Sequence, residues 1–123
     1  MSKYKLSTRS LSKLEGVEAD LVKVVKRAIE ITEIDFVVTE GLRTVERQRS
    51  LLAAGASTTM KSMHLIGRAV DLAAYVDGEV RWDWPLYHTL AKAMKAASEE
   101  VGVHIVWGGD WKTFKDGPHF QLA

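Results

Sequence analysis

Two short segments constrain the fold of this chain more than any other feature. Residues 62–71 (SMHLIGRAVD) and residues 116–120 (DGPHF) each contain one histidine and at least one carboxylate. The chain between them is long enough for a helix and a strand. A catalytic zinc ion takes three histidine or carboxylate ligands and leaves a fourth position to water. If the two segments share such an ion, the fold must bring them together, and the candidate ligands are His64, Asp71 and His119.

The residues alone leave this zinc hypothesis open, because a histidine and an aspartate near a turn are common in proteins. His64 precedes a glycine turn, and His119 follows a turn defined by a glycine and a proline. Asp116 stands three residues before His119, close enough to reach a water on the ion without being a ligand. His88, in a predicted helix, and His104, in a β-rich run, are interpreted as surface or structural residues.

Composition bounds the class of protein. The 123 residues predict one domain, 1–123, with 46% apolar and 27% charged residues, as in ordinary globular proteins. The net charge of +1 gives no support for nucleic-acid binding, and the basic residues near the N-terminus are interpreted as a solvated face rather than an anion-binding patch. The absence of cysteine excludes disulfides, thiolate zinc sites and a cysteine nucleophile. No signal peptide and no run of about 18 apolar residues is present, which predicts synthesis in the cytoplasm and no membrane insertion.

Apolar spacing and turn residues predict the order of elements. Asp71 is predicted on the strand side opposite Val70 and Leu72, pointing away from the packed face. A polar loop is predicted at 54–62, and Asp77 with Gly78 predicts a hairpin turn. Helices and strands mixed without regular βαβ alternation predict an α+β fold, a small antiparallel sheet packed by helices. The predicted helices run from Leu14 to about Thr32, from the Thr44 cap to Gly55, and from the Asp83 cap to Gly102; the predicted strands are Phe36–Thr39, the segment around Asp71, Val103–Trp107 and His119–Leu122.

The two histidine segments resemble a known motif. SMHLIGRAVD followed by DGPHF matches the pattern Ser-x-His-x-x-Gly-x-Ala-x-Asp with a closing Asp/Glu-x-x-His. This pattern marks the zinc peptidases related to the vancomycin-resistance D,D-dipeptidases and D,D-carboxypeptidases, and the chain looks most like their phage endolysins, the L-alanyl-D-glutamate endopeptidases. EGLRTVERQ at 40–48 and WGGDW at 107–111 resemble further family segments. The resemblance implies the α+β zinc fold shared with the hedgehog signalling domain.

Residue by residue, the resemblance implies that His64, Asp71 and His119 bind Zn²⁺ and that Asp116 is the general base. Asp110 is the rival for that role, since a glycine pair could present it on a turn. Arg43 matches a family arginine that could hold a substrate carboxylate or stabilise an oxyanion; the alternative is an ordinary arginine at a helix start. Weaker candidates for substrate contact are Ser62 and Gln48, which could equally be cap or turn residues, and Trp107, which with Trp111 could wall the cleft or pack in the core.

The implied activity is that of a zinc-dependent peptidoglycan peptidase that cleaves the stem peptide, with the peptidoglycan stem as its partner. The carboxypeptidase relatives usually have glutamate where this chain has Asp116, so cleavage between L-Ala and D-Glu for phage-mediated host lysis is favoured. A monomer that acts in the periplasm after export by other proteins is expected. The alternatives are a D,D- or L,D-carboxypeptidase acting on the stem terminus and a non-catalytic, zinc-stabilised cell-wall-binding module.

Overall fold

A computed structural model describes residues 3–56 and 62–123. Residues 57–61, in the predicted polar loop, lie outside the described ranges. Two 3₁₀ turns, Met63–Ile66 and Gly108–Asp110, accompany the regular elements. The helices are α1 (Thr8–Lys13), α2 (Ala19–Ile31), α3 (Val45–Ala53) and α4 (Trp84–Val101), and the strands are β1 (Phe36–Glu40), β2 (Ala69–Val76), β3 (Glu79–Arg81), β4 (Ile105–Trp107) and β5 (His119–Leu122).

The strands form one antiparallel sheet in which β2 is central. The order is β1-β2-β5-β4, and β3 pairs with β2 beyond the end of β5. Within the β2–β5 ladder Asp71 is the register partner of His119. This arrangement confirms the predicted α+β class, and it places two of the three proposed ligands opposite each other on neighbouring strands.

The hydrophobic core lies between the sheet and the helices α2 and α4. Val70 and Leu72 of β2 are fully buried in it, whereas the side chain of Asp71 remains 18% exposed. Successive side chains of a strand point to opposite faces, so the apolar residues fix the direction of the carboxylate. The remaining core includes Leu21, Val24, Val25, Leu90, Met94 and Phe120.

The prediction of one helix from Leu14 to about Thr32 is wrong at its start. The chain forms α1, which was not predicted, and then turns before α2 begins at Ala19. Gly16 adopts φ +82°, a left-handed conformation that interrupts a right-handed helix. Leu14 and Val17 are nevertheless buried, so the apolar spacing reports burial and does not reveal the break.

Helix α3 begins as predicted, because the Thr44 hydroxyl accepts a hydrogen bond from the Arg47 backbone N–H at 3.0 Å. The apolar side chains of this helix do not pack in the core. Val45 is 51% exposed and Leu52 39% exposed, whereas Gln48 is fully buried. The helix therefore packs through a polar residue, which indicates that it borders a polar site.

The turns at the other elements agree with the sequence. Asp77 and Gly78 adopt φ +52° and +79° in the β2–β3 hairpin, and Gly102 ends α4 with φ +72°. Asp83 occupies the N-cap of α4 but makes no side-chain cap bond, and it pairs with Arg81 instead. None of the described helices is long and apolar enough to cross a membrane.

Candidate metal centre and active-site cleft

A cleft of ≈ 720 Å³ lies over the sheet beside the β2–β5 pair. Its described lining combines the predicted ligands with several other predicted site residues. Apolar side chains, among them Met63 and Trp111, complete the wall. The predicted site residues that line the cleft are Arg43, Ser62, His64, Asp71, Asp116 and His119.

Three different elements deliver the candidate ligands. His64 lies in the 3₁₀ turn Met63–Ile66, whose first turn is capped by Ser62, because the Ser62 hydroxyl accepts from the His64 backbone N–H at 3.2 Å. Gly67 then takes φ +71° and passes within close packing distance of the Gly16 carbonyl, where a Cβ would lie 2.4 Å from that oxygen. A glycine is therefore required for the chain to turn from His64 into β2.

The three side chains converge on one point. His64 Nε2 lies 3.2 Å from Asp71 Oδ1, and His119 Nδ1 lies 3.3 Å from the same oxygen. The two imidazole rings meet edge to face with centroids 5.1 Å apart. The ligand atoms of all three residues lie within 4.8 Å of one another, so this group could hold a metal ion.

The outer nitrogen of each histidine fixes its tautomer. His64 Nδ1 lies 2.8 Å from the Gly41 carbonyl oxygen, and His119 Nε2 lies 2.8 Å from Gln121 Oε1. Both partners accept hydrogen bonds, so the outer nitrogens carry protons. In a neutral ring the inner nitrogen then presents a lone pair toward Asp71 Oδ1, as a metal ligand does, whereas in a protonated ring it donates to that oxygen. Two lone pairs facing a carboxylate oxygen repel unless a cation or extra protons lie between them.

The spacing of these atoms fits a metal ion. Two donors bound tetrahedrally at about 2.0–2.1 Å lie about 3.3 Å apart, close to the observed 3.2 and 3.3 Å. Two neutral imidazoles and one carboxylate are also a donor set that divalent metals accept. The residues present therefore fit a small divalent ion held by His64, Asp71 and His119.

The electrostatics show the same preference for positive charge. Burial alone would raise the pKa of Asp71, but hydrogen bonds from His119 and His64 outweigh it and hold that pKa well below its usual range. Burial would lower the pKa of His119, but the hydrogen bonds to Asp71 and Gln121 outweigh this effect and raise it. Both shifts arise because the Asp71 carboxylate is stabilised by positive charge on its neighbours, which is the kind of charge that a metal ion would bring.

Asp116 lies at the cleft on the turn before β5. Its backbone N–H donates to the Gly108 carbonyl at 3.1 Å, and its own carbonyl accepts from the His119 N–H at 3.2 Å. A Cβ on Gly108 would lie 2.3 Å from the Asp116 carbonyl oxygen, so the two turns pack directly on each other. Burial and the nearby negative charge of Asp71 raise the pKa of the Asp116 carboxyl, which makes it a stronger proton acceptor than an ordinary aspartate.

Arg43 lies at the cleft edge with its side chain only 8% exposed. Its Nε and Nη2 donate to the two oxygens of Glu40 at 2.8 and 2.7 Å, a bidentate pair. Its Nη1 donates to Gln48 Oε1 at 2.7 Å and to Ser62 Oγ at 3.4 Å. Nη2 also lies 3.8 Å from Asp71 Oδ2. The guanidinium thus joins β1, α3 and the turn before His64 to the candidate ligand Asp71.

The other predicted residues divide between the cleft and the core. Gln48 is fully buried beneath Arg43 and does not line the cleft. Trp107 is 4% exposed, and its Nε1 donates to the Gly117 carbonyl at 2.7 Å, so it supports the Asp116 turn from the core side. Trp111 lines the cleft with its ring 5.1 Å from that of His119. The rival Asp110 is exposed and pairs with Lys95 at 2.8 Å, outside the cleft lining.

Among the described residues, the side chains of Gln121 and Glu40 orient site residues and were not assigned from the sequence. Gln121 orients His119, and the period-2 alternation that places both on one face of β5 was a usable signal. Glu40 orients Arg43, and its signal was the spacing of opposite charges three residues apart at the end of β1. The Gly41 carbonyl that orients His64 carries no side-chain signal at all.

Two solved structures have the same fold as this chain. Over 86% of this chain and 50% of the other, the fold matches the vancomycin resistance D,D-dipeptidase VanXYg with a TM-score of 0.57 at 19% identity, which shows the shared fold alone. Serratia marcescens L-Ala D-Glu endopeptidase ChiX matches with a TM-score of 0.92 and 45% identity, over 98% of this chain and 92% of that one. The architecture is therefore that of the D,D-dipeptidase-related peptidases.

The sequence comparisons define the family. The model of the phage L-alanyl-D-glutamate peptidases matches residues 1–122. The L-alanyl-D-glutamate peptidase of Escherichia phage T5 is 33% identical over 117 residues, which cover 92% of this chain and 85% of the relative. The chain belongs to the phage L-alanyl-D-glutamate peptidase family, as the motif resemblance predicts.

Proposed function

We propose that this protein is a zinc-dependent endopeptidase that hydrolyses the bond between L-Ala and D-Glu in the peptidoglycan stem peptide. The observation that carries the proposal is the convergence of His64, Asp71 and His119 on one point of a cleft that also contains Asp116. Family membership supports the substrate, since the relatives from phage T5 and Serratia marcescens are named for this bond.

His64, Asp71 and His119 would hold the zinc ion. When bound, zinc polarises the peptide carbonyl and lowers the pKa of a water molecule toward neutrality. Asp116 accepts the proton of the attacking water and passes it to the leaving amine of D-Glu. The raised pKa of its carboxyl suits this exchange, because proton acceptance and return are best balanced when the pKa of the group approaches the working pH.

Arg43 holds other residues of this site in place. Because its donors already bind Glu40, Gln48 and Ser62, we assign it to the alignment of Asp71 and the His64 turn rather than to oxyanion binding. Ser62 is assigned the same supporting role through its bond to the His64 backbone.

The replacement Asp116→Asn tests the mechanism. We expect zinc content and thermal unfolding to remain those of the wild type, while hydrolysis of purified peptidoglycan falls by at least about 10²-fold, the usual contribution of a general base. Asp110→Asn is the matched control, since Asp110 is the nearby aspartate outside the cleft. Equal hydrolysis by Asp116→Asn and the wild type would refute the assignment of the base.

Mass spectrometry of the products tests the substrate. Cleavage between L-Ala and D-Glu leaves glycan capped with L-Ala, whereas a D,D- or L,D-carboxypeptidase releases free D-Ala. A binding module would release neither product while still retaining zinc. Only the first product pattern agrees with the proposed activity.

We further propose that the protein acts as a monomer on the periplasmic cell wall during phage-mediated host lysis, after synthesis in the host cytoplasm. Membership in the phage family supports this role. The test is co-expression with a protein that permeabilises the inner membrane. Lysis should require both proteins and should be lost with His119→Ala.

A further inference from the structure

The cleft contains more negative than positive side chains near the metal centre. Its described acidic lining residues are Glu40, Asp71 and Asp116, and its described lysine and arginine residues are Lys115 and Arg43. A divalent ion held at Asp71 would offset part of this charge, but the carboxylates of Glu40 and Asp116 would still face an anionic substrate group, which is then best received by a cation with free donors.

Arg43 does not offer such donors. A guanidinium has five N–H groups, and four of those of Arg43 bind Glu40, Gln48 and Ser62. The remaining Nη2 proton faces Asp71, whose Oδ2 lies 3.8 Å away. With its side chain 8% exposed, Arg43 could bind a substrate carboxylate only by giving up a partner on the protein.

Lys115 offers free donors. Its side chain is exposed at the cleft, and its Nζ donates to the Gly109 carbonyl at 3.3 Å. An ammonium group has three N–H groups, so this bond tethers the side chain to the cleft wall and leaves others for a ligand. Lys115 is also the residue directly before Asp116, and Phe114 before it has φ +50°, a left-handed conformation that is strained for a non-glycine residue. The strained turn thus presents the ammonium group beside the proposed base.

The proposed substrate contains the matching group. A glutamyl residue has two carboxyl groups, and at most one of them continues the stem through an amide bond. Its other carboxylate remains free, within a few bonds of the amine that leaves on hydrolysis. We propose that Lys115 binds this free carboxylate of D-Glu and thereby selects glutamate on the leaving side of the scissile bond. This inference rests on the proposed function.

The test combines three enzyme variants with one change in the substrate. The substrates are two synthetic stem peptides that contain the L-Ala to D-Glu bond, one with the free carboxylate and one with that group as a carboxamide. The variants are Lys115→Met, Lys115→Arg as the conservative replacement, and Lys112→Met as the control for an exposed lysine of the same loop outside the cleft lining. The readouts are kcat and KM for each pair and calorimetric binding of the D-glutamyl product.

For the carboxylate peptide, Lys115→Met should raise KM by about threefold to fivefold with little change in kcat, as expected for one exposed charge pair. For the carboxamide peptide its KM should change by less than about twofold. Lys115→Arg should restore most of the affinity, Lys112→Met should match the wild type, and product binding should weaken in Lys115→Met alone.

Equal losses on the two peptides, or no loss on either, would overturn the role of Lys115 while leaving the proposed function intact. Failure of the wild type to cleave both peptides would overturn the proposed function, and the role of Lys115 with it. The two failures are therefore distinguishable by the wild-type reaction alone.

Discussion

The replacement Glu40→Gln tests whether the buried charge beside the metal centre is balanced in the way the structure indicates. In the wild type, Glu40 neutralises Arg43 through two hydrogen bonds of 2.7 and 2.8 Å. Without that negative charge, the guanidinium has Asp71 as its nearest carboxylate, 3.8 Å away. Arg43 would then form a stronger ion pair with Asp71, which would weaken the binding of a metal ion by that carboxylate.

The magnitude follows from this distance. Two unit charges 3.8 Å apart attract by about 4 kcal/mol at an effective dielectric constant of about 20. Part of this attraction already exists in the wild type, and water reaches Glu40, whose side chain is 25% exposed. We therefore expect Glu40→Gln to weaken zinc binding by roughly 10- to 100-fold, the range found when a residue that orients a metal ligand is replaced.

Competition with a chromogenic zinc chelator measures the affinity directly. The matched control is Glu18→Gln, which removes the carboxylate from an exposed pair with Arg68 at 3.2 Å. The double replacement Glu40→Gln with Arg43→Gln should recover affinity relative to Glu40→Gln, because it removes the uncompensated cation. Unchanged zinc affinity in Glu40→Gln, or a further loss in the double variant, would refute this account of the charge balance.

Two further predictions concern packing and pH. Gly108→Ala should destabilise the fold by about 1–3 kcal/mol in chemical unfolding and lower activity, because its Cβ would lie 2.3 Å from the Asp116 carbonyl oxygen. A free energy of unfolding equal to that of the wild type would contradict the packing argument. The pH prediction concerns chelator-treated protein. The lowered pKa of Asp71 stabilises the fold at pH values above the ordinary pKa of an aspartate, and this contribution is lost in acid. The raised pKa of His119 stabilises the fold at pH values below about 6.5, and this contribution is lost as the pH rises through the pKa of the folded state. The melting temperature of chelator-treated protein should therefore fall from pH 6 toward pH 8. That of zinc-loaded protein should fall less or rise, because zinc binds neutral imidazoles. Parallel plots of melting temperature against pH for the two forms would contradict the assignment of His119 as a ligand.

The strand pattern could be predicted from the sequence because it is local. Alternation around Asp71 gave its direction, and Asp77 with Gly78 gave the hairpin, since both signals depend on residues a few positions apart. The break at Gly16 could not be predicted in this way. Its positive φ goes with a close approach to Leu42, a contact that depends on how distant segments pack.

The candidate site divides in the same manner. The motif resemblance identified the residues now found at one point, whereas their partners came from tertiary structure. Gln48, a candidate for substrate contact from the sequence, is a buried partner of Arg43 in the structure. Trp107 and Trp111 carry the same side chain near the same glycine turn, and only the packing places Trp107 in the core and Trp111 at the cleft.

The pairing of Asp71 with His119 across β2 and β5 has a consequence for how the protein matures. A ladder displaced by one residue would send one of these side chains to the opposite surface, so under the proposed function tight zinc binding requires β5 to pair with β2 in the correct register. A zinc-sensitive dye that follows refolding would then report when β5 pairs with β2. Binding of the ion would therefore stabilise molecules with the correct β2–β5 register over those with a shifted register.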